Sequence, residues 1–144
     1  MADRRDALVT EVWRRLSSVE GMKTTKRNPE EPPEAQDCPV GNIFELDDET
    51  TVPGTRPVPT NKQELLLIIE LFIKGTSAAS ASKELWVLYR KVMKALYAEP
   101  KFLSGKGELR KIRTSRVVTV DSGNHMKGLG IAFNALYIED IATF

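Results

Sequence analysis

Two apolar segments constrain the fold of this chain more than any other feature of its sequence. The segment QELLLIIELFIK, residues 63–74, is apolar almost continuously, as a β-strand is when both of its faces are covered. The closing segment, residues 128–138, places Leu, Ile, Phe, Ala and Tyr at its odd positions, with Gly, Ala, Asn and Leu between them. Period-two alternation indicates a strand with one face in the core. We therefore expect the closing strand to be an inner strand, covered by helices on one face and by a second sheet or a neighbouring subunit on the other.

Two amphipathic helices are predicted, near residues 4–19 and 80–98. In each segment the apolar residues recur at intervals of three and four, which makes one stripe along a helix. Lys and Arg occupy the opposite face of the second helix. The residues that we expect in the core are Trp13, Leu16, Leu88, Val92, Phe133 and Tyr137.

The remaining segments complete a small α/β (α+β) domain. NIFEL, residues 42–46, is a short candidate strand, and the sheet is built mainly from residues 64–74, 110–121 and 128–138. The order is α-β-β-α-β-β, with two helices packed against a mainly antiparallel sheet in one domain, residues 1–144. Residues 22–42 form a loop rich in proline and acid. Residues 29–40 of it carry almost no apolar side chains, so we expect partners rather than a core to order them.

Charge is polarised along the chain, although the net charge is only +1. Residues 28–55 carry eight acids and no base, and residues 101–116 carry six bases and one acid. The low net charge exerts no general attraction on nucleic acid or an anionic membrane. The two unlike segments could instead meet each other across copies, or the basic one could contact phosphate groups.

The compartment is expected to be a cytoplasm. Cys38 is the single cysteine and has no disulfide partner within the chain. Charged residues interrupt the N-terminus, which argues against a signal peptide. No apolar run approaches the roughly 20 residues that a membrane-spanning helix needs.

No motif predicts an active site, a metal site or a cofactor. Asp121, Ser122 and His125 lie in one tight turn, where such residues occur for backbone reasons, whereas catalytic triads draw on separated segments. Acidic neighbours of Cys38 oppose a reactive thiolate. The run Asp47–Glu49 lacks the spacing of a calcium loop, and GKGELRK and GLG fail the phosphate-loop and dinucleotide patterns. We therefore expect a binding or assembly protein, with no catalytic residue and no cofactor.

The order of elements resembles the tail terminator (tail completion) proteins of long-tailed bacteriophages. The resemblance spans most of residues 4–140. It is carried by NIFEL after a long proline-containing loop, by ELLLIIELFI leading into SKELWVLYRKVMKALYAEP, by FLSG, and by the closing GIAFNALYI. It departs from the family in the strongly acidic loop at 22–42 and in a long connection at 50–61.

This resemblance implies a virion structural protein without enzymatic activity. Such a protein forms a ring, usually a hexamer, that stops polymerisation of the tail tube and offers a surface for head joining. Its partners would be further copies of itself, the tail tube protein and head–tail connector proteins, with DNA a possible occupant of the lumen and no membrane involved. It would lie at the head-proximal end of the tail, after assembly in the host cytoplasm.

Candidate contact residues follow from the two charged segments. Contacts between subunits or with the tube are predicted for Asp47, Asp48, Glu49, Arg110, Lys111 and Arg113. Residues that could face DNA in the lumen are Lys101, Lys106 and Arg116. The alternatives are another head–tail connector or minor tail protein, and a small nucleic-acid-binding α/β module that uses residues 101–116. A hydrolase that uses His125 is a third, less favoured hypothesis.

Overall fold

The computed structural model describes residues 4–53, 60–99, 102 and 107–140, with the backbone alone at 47–53, 60–61 and 139–140. Two helices, α1 (Arg4–Ser17) and α2 (Ala78–Leu96), accompany six strands. The strands are β1 (Thr24–Arg27), β2 (Val40–Pro53), β3 (Thr60–Lys74), β4 (Gly107–Thr114), β5 (Val118–Asp121) and β6 (Met126–Asp140). The predicted α+β class, single domain and order of elements are confirmed.

All six strands form one sheet, in the order β1-β2-β3-β6-β4, with β5 also pairing with β6. Every pairing is antiparallel except β1 with β2. The longest register joins β3 to β6 from Thr60–Asp140 to Lys74–Met126. The two apolar segments of the sequence are therefore central neighbours, flanked by β2 on one side and by β4 and β5 on the other.

Both helices pack on the same face of this sheet. Odd-numbered side chains of β3 and β6, among them Leu67, Ile69, Ile131 and Phe133, are buried with the apolar stripes of α1 and α2 in one cluster. Of the predicted core residues, Leu16, Leu88, Val92, Phe133 and Tyr137 are buried. This burial confirms the alternation read from the closing segment.

Trp13 was predicted in the core, and this prediction is wrong. Its side chain is 39% exposed, and its indole Nε1 donates to the carbonyl oxygen of Thr25 at 3.4 Å. The buried stripe of α1 runs through Leu8, Val12 and Leu16, which leaves Trp13 at the margin over the edge strand β1. A large amphipathic ring is rarely buried completely.

The N-terminal turn of α2 is fixed by a reciprocal pair of serines. Ser77 precedes the helix, and its Oγ accepts from the Ser80 backbone N–H at 3.1 Å, while the Ser80 Oγ accepts from the Ser77 N–H at 3.0 Å. This capping arrangement satisfies donors that a helix start leaves free. The helix consequently begins at Ala78, two residues before the predicted start.

The proline- and acid-rich segment is partly structured. Thr24–Arg27 form β1, and a short 3-10 helix spans Ala35–Asp37. Ala35 and Cys38 pack against a small buried cluster of Val40, Phe72 and Met126. The expectation that residues 29–40 have almost nothing to bury is thus wrong for their C-terminal half.

Candidate assembly surfaces

The second face of the sheet, opposite the helices, carries an apolar patch that we call the open face. It consists of even-numbered side chains that are only half-buried in the described part of the chain: Phe44, Leu66, Ile68, Ala132, Leu136 and Ile138. The register places Ile68 opposite both Phe44 and Ala132, so these three residues are direct cross-strand neighbours. Within the described residues neither helix covers this patch, and no second sheet is present. Apolar patches that a monomer leaves uncovered commonly mark contact sites.

Residues 28–39, which we call the acidic loop, cover one end of the even-numbered face of the sheet, beside the open face. The loop joins β1 to β2, and its cluster with Phe72 and Met126 sits over the even-numbered side of the sheet. The Thr24 Oγ1 donates to the carbonyl oxygen of Asp37 at 2.9 Å and so anchors the end of the loop. The tip is different, because Glu30, Glu31, Pro32 and Glu34 are all exposed.

The β2 acids predicted as contacts lie on a strand whose outer edge is only partly paired. β1 pairs with β2 from Val40 to Ile43 and no further. Asp48 and Glu49 pair with Leu65 and Glu64 of β3 beyond an irregularity in the register. Their side chains and that of Asp47 lie outside the described residues, so their role as contacts stays a prediction.

The predicted basic contacts lie on β4, at the opposite edge of the sheet. Arg110, Lys111 and Arg113 are exposed. Arg110 forms an ion pair with Glu108 at 3.0 Å, and this pair raises the pKa of the Arg110 guanidinium. Arg110 and Arg113 pair with Asn134 and Ala132 on the open side. Lys111 is on the helix side, and its Nζ donates to the hydroxyl oxygen of Tyr89.

The three residues predicted to face DNA are only partly described. Arg116 is exposed in the connection between β4 and β5. Lys101 and Lys106 lie outside the described residues. The structure does describe Phe102, the one aromatic residue of segment 101–116, which is 1% exposed. The guanidinium of Arg15 lies over its ring, with 3.9 Å between the Arg15 Cζ and the ring centroid.

Residues of α2 extend the basic edge strand β4 into a wider surface. The sequence did not predict that helix and strand share this surface. We call it the α2–β4 surface: Lys83, Trp86, Arg90, Lys94, Tyr97 and Lys111. Trp86 and Tyr97 are 37% and 36% exposed. Trp86, Arg90, Lys94 and Tyr97 follow one another at intervals of four, four and three, and this helical spacing was the signal that could have located the stripe.

Two tyrosines join α2 to β4, which makes this surface continuous. The Tyr97 hydroxyl donates to the carbonyl oxygen of Leu109 at 2.9 Å. Burial alone would raise the pKa of Tyr89, but hydrogen bonds from Lys111 and Thr114 outweigh burial and lower it. Trp86 meets the ring of Tyr89 edge to face, with 5.3 Å between centroids. The aromatic stripe therefore lies between cations of the helix and a cation of the strand.

The turn residues Asp121 and His125, and Cys38, have structural explanations. Asp121 accepts from the Gly123 N–H at 3.1 Å and from Asn124 Nδ2 at 2.7 Å. His125 has a positive φ of 50°, a conformation that occurs in several types of tight turn. Burial, followed by the charge of Asp37, raises the pKa of the Cys38 thiol to about 11. No group of three or more His, Cys, Asp or Glu side chains that could hold a metal ion occurs among the described residues. Within the same part of the chain, neither helix has the length and apolarity to span a membrane.

Comparison with solved structures finds a likeness in overall fold. No protein-family model and no curated protein matches the sequence. One similar solved structure is the virion of a native gene transfer agent (GTA) particle. A chain of that particle superposes with a TM-score of 0.47 at 12% sequence identity, over 93% of this chain and 96% of that chain. A likeness this distant establishes neither a family nor a function for the present chain.

Proposed function

We propose that this protein is a virion structural protein of a long-tailed bacteriophage and that it forms a ring capping the tail tube. The observation that carries the proposal is the order of elements over residues 4–140, which resembles the tail terminator proteins. The fold agrees with what that resemblance implies, since two helices pack on a single, mainly antiparallel sheet. On this proposal the protein has no enzymatic activity.

The distribution of charge supports a ring in particular. A ring needs a heterologous interface, in which one patch of a subunit meets a different patch of the next. The acids of the loop and β2 lie toward one edge of the sheet, and the bases of β4 lie at the other. Opposite charges at opposite edges define a direction of assembly and disfavour contacts between like edges.

In this role the ring ends the tube and prepares it for head joining. One face of the ring binds the terminal layer of tail tube subunits, and the other lacks the surface that would accept a further layer. The open face, which is apolar and uncovered in the described chain, is available for contact with a neighbouring copy or with the tube. The ring would be a hexamer at the head-proximal end of the tail, where connector proteins bind it and DNA crosses its lumen.

Native mass spectrometry of the purified chain tests the ring. We expect one discrete oligomer, six copies by the family resemblance, whose stability falls as salt is added because screening weakens contacts between exposed charges. Replacement of Asp47, Asp48 and Glu49 by Lys should weaken it further. A chain that stays monomeric at high protein concentration, alone and with tube subunits, would count against the proposal.

A nucleic-acid-binding module is the second candidate, because the α2–β4 surface combines cations with aromatic residues. Binding of this kind depends steeply on salt and requires no oligomer. Tight, salt-dependent binding of DNA by the monomer, together with no assembly, would favour it over the ring.

A further inference from the structure

We propose that the acidic loop of one copy docks on the α2–β4 surface of the next copy and so forms the ring interface. This inference rests on the proposed ring and names the two surfaces that make it. It is more specific than the pairing of charged sheet edges described above, because it joins a proline-rich segment to an aromatic stripe.

The docking segment has the composition of a polyproline II ligand. Residues 29–34 read PEEPPE, in which Pro29 and Pro32 are spaced as in PxxP ligands. The backbone is extended at Glu34, the last residue of this segment, with φ and ψ of −99° and 158°. The proline rings fix φ at three of its six positions, so the segment has less conformational freedom to lose when it binds, which favours docking.

The receiving surface has the features that such a segment requires. Proline-rich segments dock in grooves lined by aromatic side chains, and Trp86 on α2 and Tyr97 directly after its last residue are partly exposed. Arg90 and Lys94 on the helix, with Lys111 across the stripe on β4, provide cations on both of its sides. These cations match the glutamates that alternate with prolines in the acidic loop.

The two surfaces cannot meet within one chain. The acidic loop follows β1, which is the first strand of the sheet order, whereas the α2–β4 surface includes β4 at the other end of that order. The acidic loop also packs over the even-numbered face, on Phe72 and Met126, whereas α2 packs on the odd-numbered face. The sheet therefore separates loop and surface within one chain. We infer that they are joined between copies, and because they are unlike, the contact is head to tail.

A second copy explains both surfaces, whereas a nucleic acid explains only the basic one. If the α2–β4 surface bound phosphate groups, the negative charges of Glu30, Glu31 and Glu34 would have no part in the interaction. A ring in which each subunit gives one loop and receives one loop matches every such pair. The anchored end of the loop, with Ala35 and Cys38 packed on Phe72, holds the tip in a fixed position for this contact.

The test uses two charge-reversed full-length chains. The first carries Glu30→Lys, Glu31→Lys and Glu34→Lys, and the second carries Lys83→Glu, Arg90→Glu and Lys94→Glu. Each chain alone opposes like charges at every interface, so we expect association at least about tenfold weaker than in the wild type. An equimolar mixture restores opposite charges at every contact of an alternating ring, so the mixture should assemble with an even number of subunits. The assembly is followed by native mass spectrometry.

A matched control carries Glu20→Lys and Lys91→Glu, two exposed residues outside both surfaces. It should assemble as the wild type does. Circular dichroism confirms that every chain is folded, and Trp86→Ala tests the aromatic part, with weaker association expected at unchanged charge. Recovery of assembly in the mixture, after its loss in each reversed chain, is the expected result.

Several outcomes would overturn the inference. If both reversed chains assemble like the wild type, the proposed interface is refuted, whereas the proposed ring is not. The interface is also refuted if folded reversed chains fail to assemble when mixed. A third refuting outcome is a basic reversal that abolishes DNA binding but leaves assembly intact. If the wild-type chain forms no oligomer under any condition, the proposed function fails together with the inference.

Discussion

Arg15 should contribute far more to stability than its neighbour Arg14, although both bind the carboxylate of Glu11. The Arg15 side chain is 7% exposed, against 65% for Arg14. The Arg15 Nη1 donates to the carbonyl oxygens of Leu96 at 2.8 Å and Glu99 at 2.6 Å. The Leu96 carbonyl belongs to the last turn of α2, which has no partner within the helix. Arg15 thus ties α1 to the C-terminal end of α2.

The expected loss in Arg15→Ala follows from these contacts. A hydrogen bond from a charged donor contributes about 1.5–3 kcal/mol, and the contact with the ring of Phe102 about 0.5–2 kcal/mol. Since contributions that share one side chain do not add fully, we expect the free energy of unfolding to fall by about 3–5 kcal/mol. With a urea slope of about 2 kcal/mol per M, the midpoint should fall by about 1.5–2.5 M.

Urea unfolding followed by far-ultraviolet circular dichroism measures this difference. Arg14→Ala is the matched control, because it removes the exposed partner of the same glutamate and should leave the midpoint nearly unchanged. Equal midpoints for the two variants would refute the assignment of Arg15 as a buried tie between the helices.

Three further predictions concern the core, a close approach and an ion pair. Leu88→Ala should cost about 2–5 kcal/mol of unfolding free energy, because Leu88 lies on the buried side of α2; an unchanged urea midpoint would contradict this. Gly75→Ala should lower the melting temperature, since a Cβ would come within 2.7 Å of the Ala81 backbone; a melting temperature equal to that of the wild type would contradict it. Hydrogen bonds from Arg27 lower the pKa of Glu45, so this pair stabilises the fold above the ordinary glutamate pKa of about 4.3 and is lost as pH falls through the lower folded value. Unfolding measured from pH 6 to pH 3 should therefore depend less on pH in Glu45→Gln, and an identical profile would count against this assignment.

The central strands and helices could be predicted because their periodicity is local. The odd positions of β6 are buried as the alternation indicated, and the stripe of α2 predicted Leu88 and Val92 correctly. β1 could not be predicted, because TTKR has no apolar alternation and is a strand only by pairing with β2. The segment predicted as one strand over 110–121 is divided at Ser115, whose N–H donates to the Gly130 carbonyl at 2.8 Å.

The candidate surfaces were harder to predict than the fold. Within the basic segment 101–116, Phe102 is the single aromatic residue, and it is buried. The aromatic residues that border Lys111 come from α2, and tertiary contacts through Tyr89 and Tyr97 bring them there. Sequence alone gave no register between helix and strand, so it could not reveal that these residues share one surface.

Electron microscopy of phage particles that lack this protein tests the tube-capping claim most directly. The measured quantity is the distribution of tail lengths, together with the fraction of tails joined to heads. Without the ring, tube subunits continue to add at the uncapped end, so we expect tails of abnormal and variable length that remain separate from filled heads. Expression of the wild-type chain from a plasmid should restore both quantities. Tails of normal, uniform length that join to heads in its absence would contradict the account.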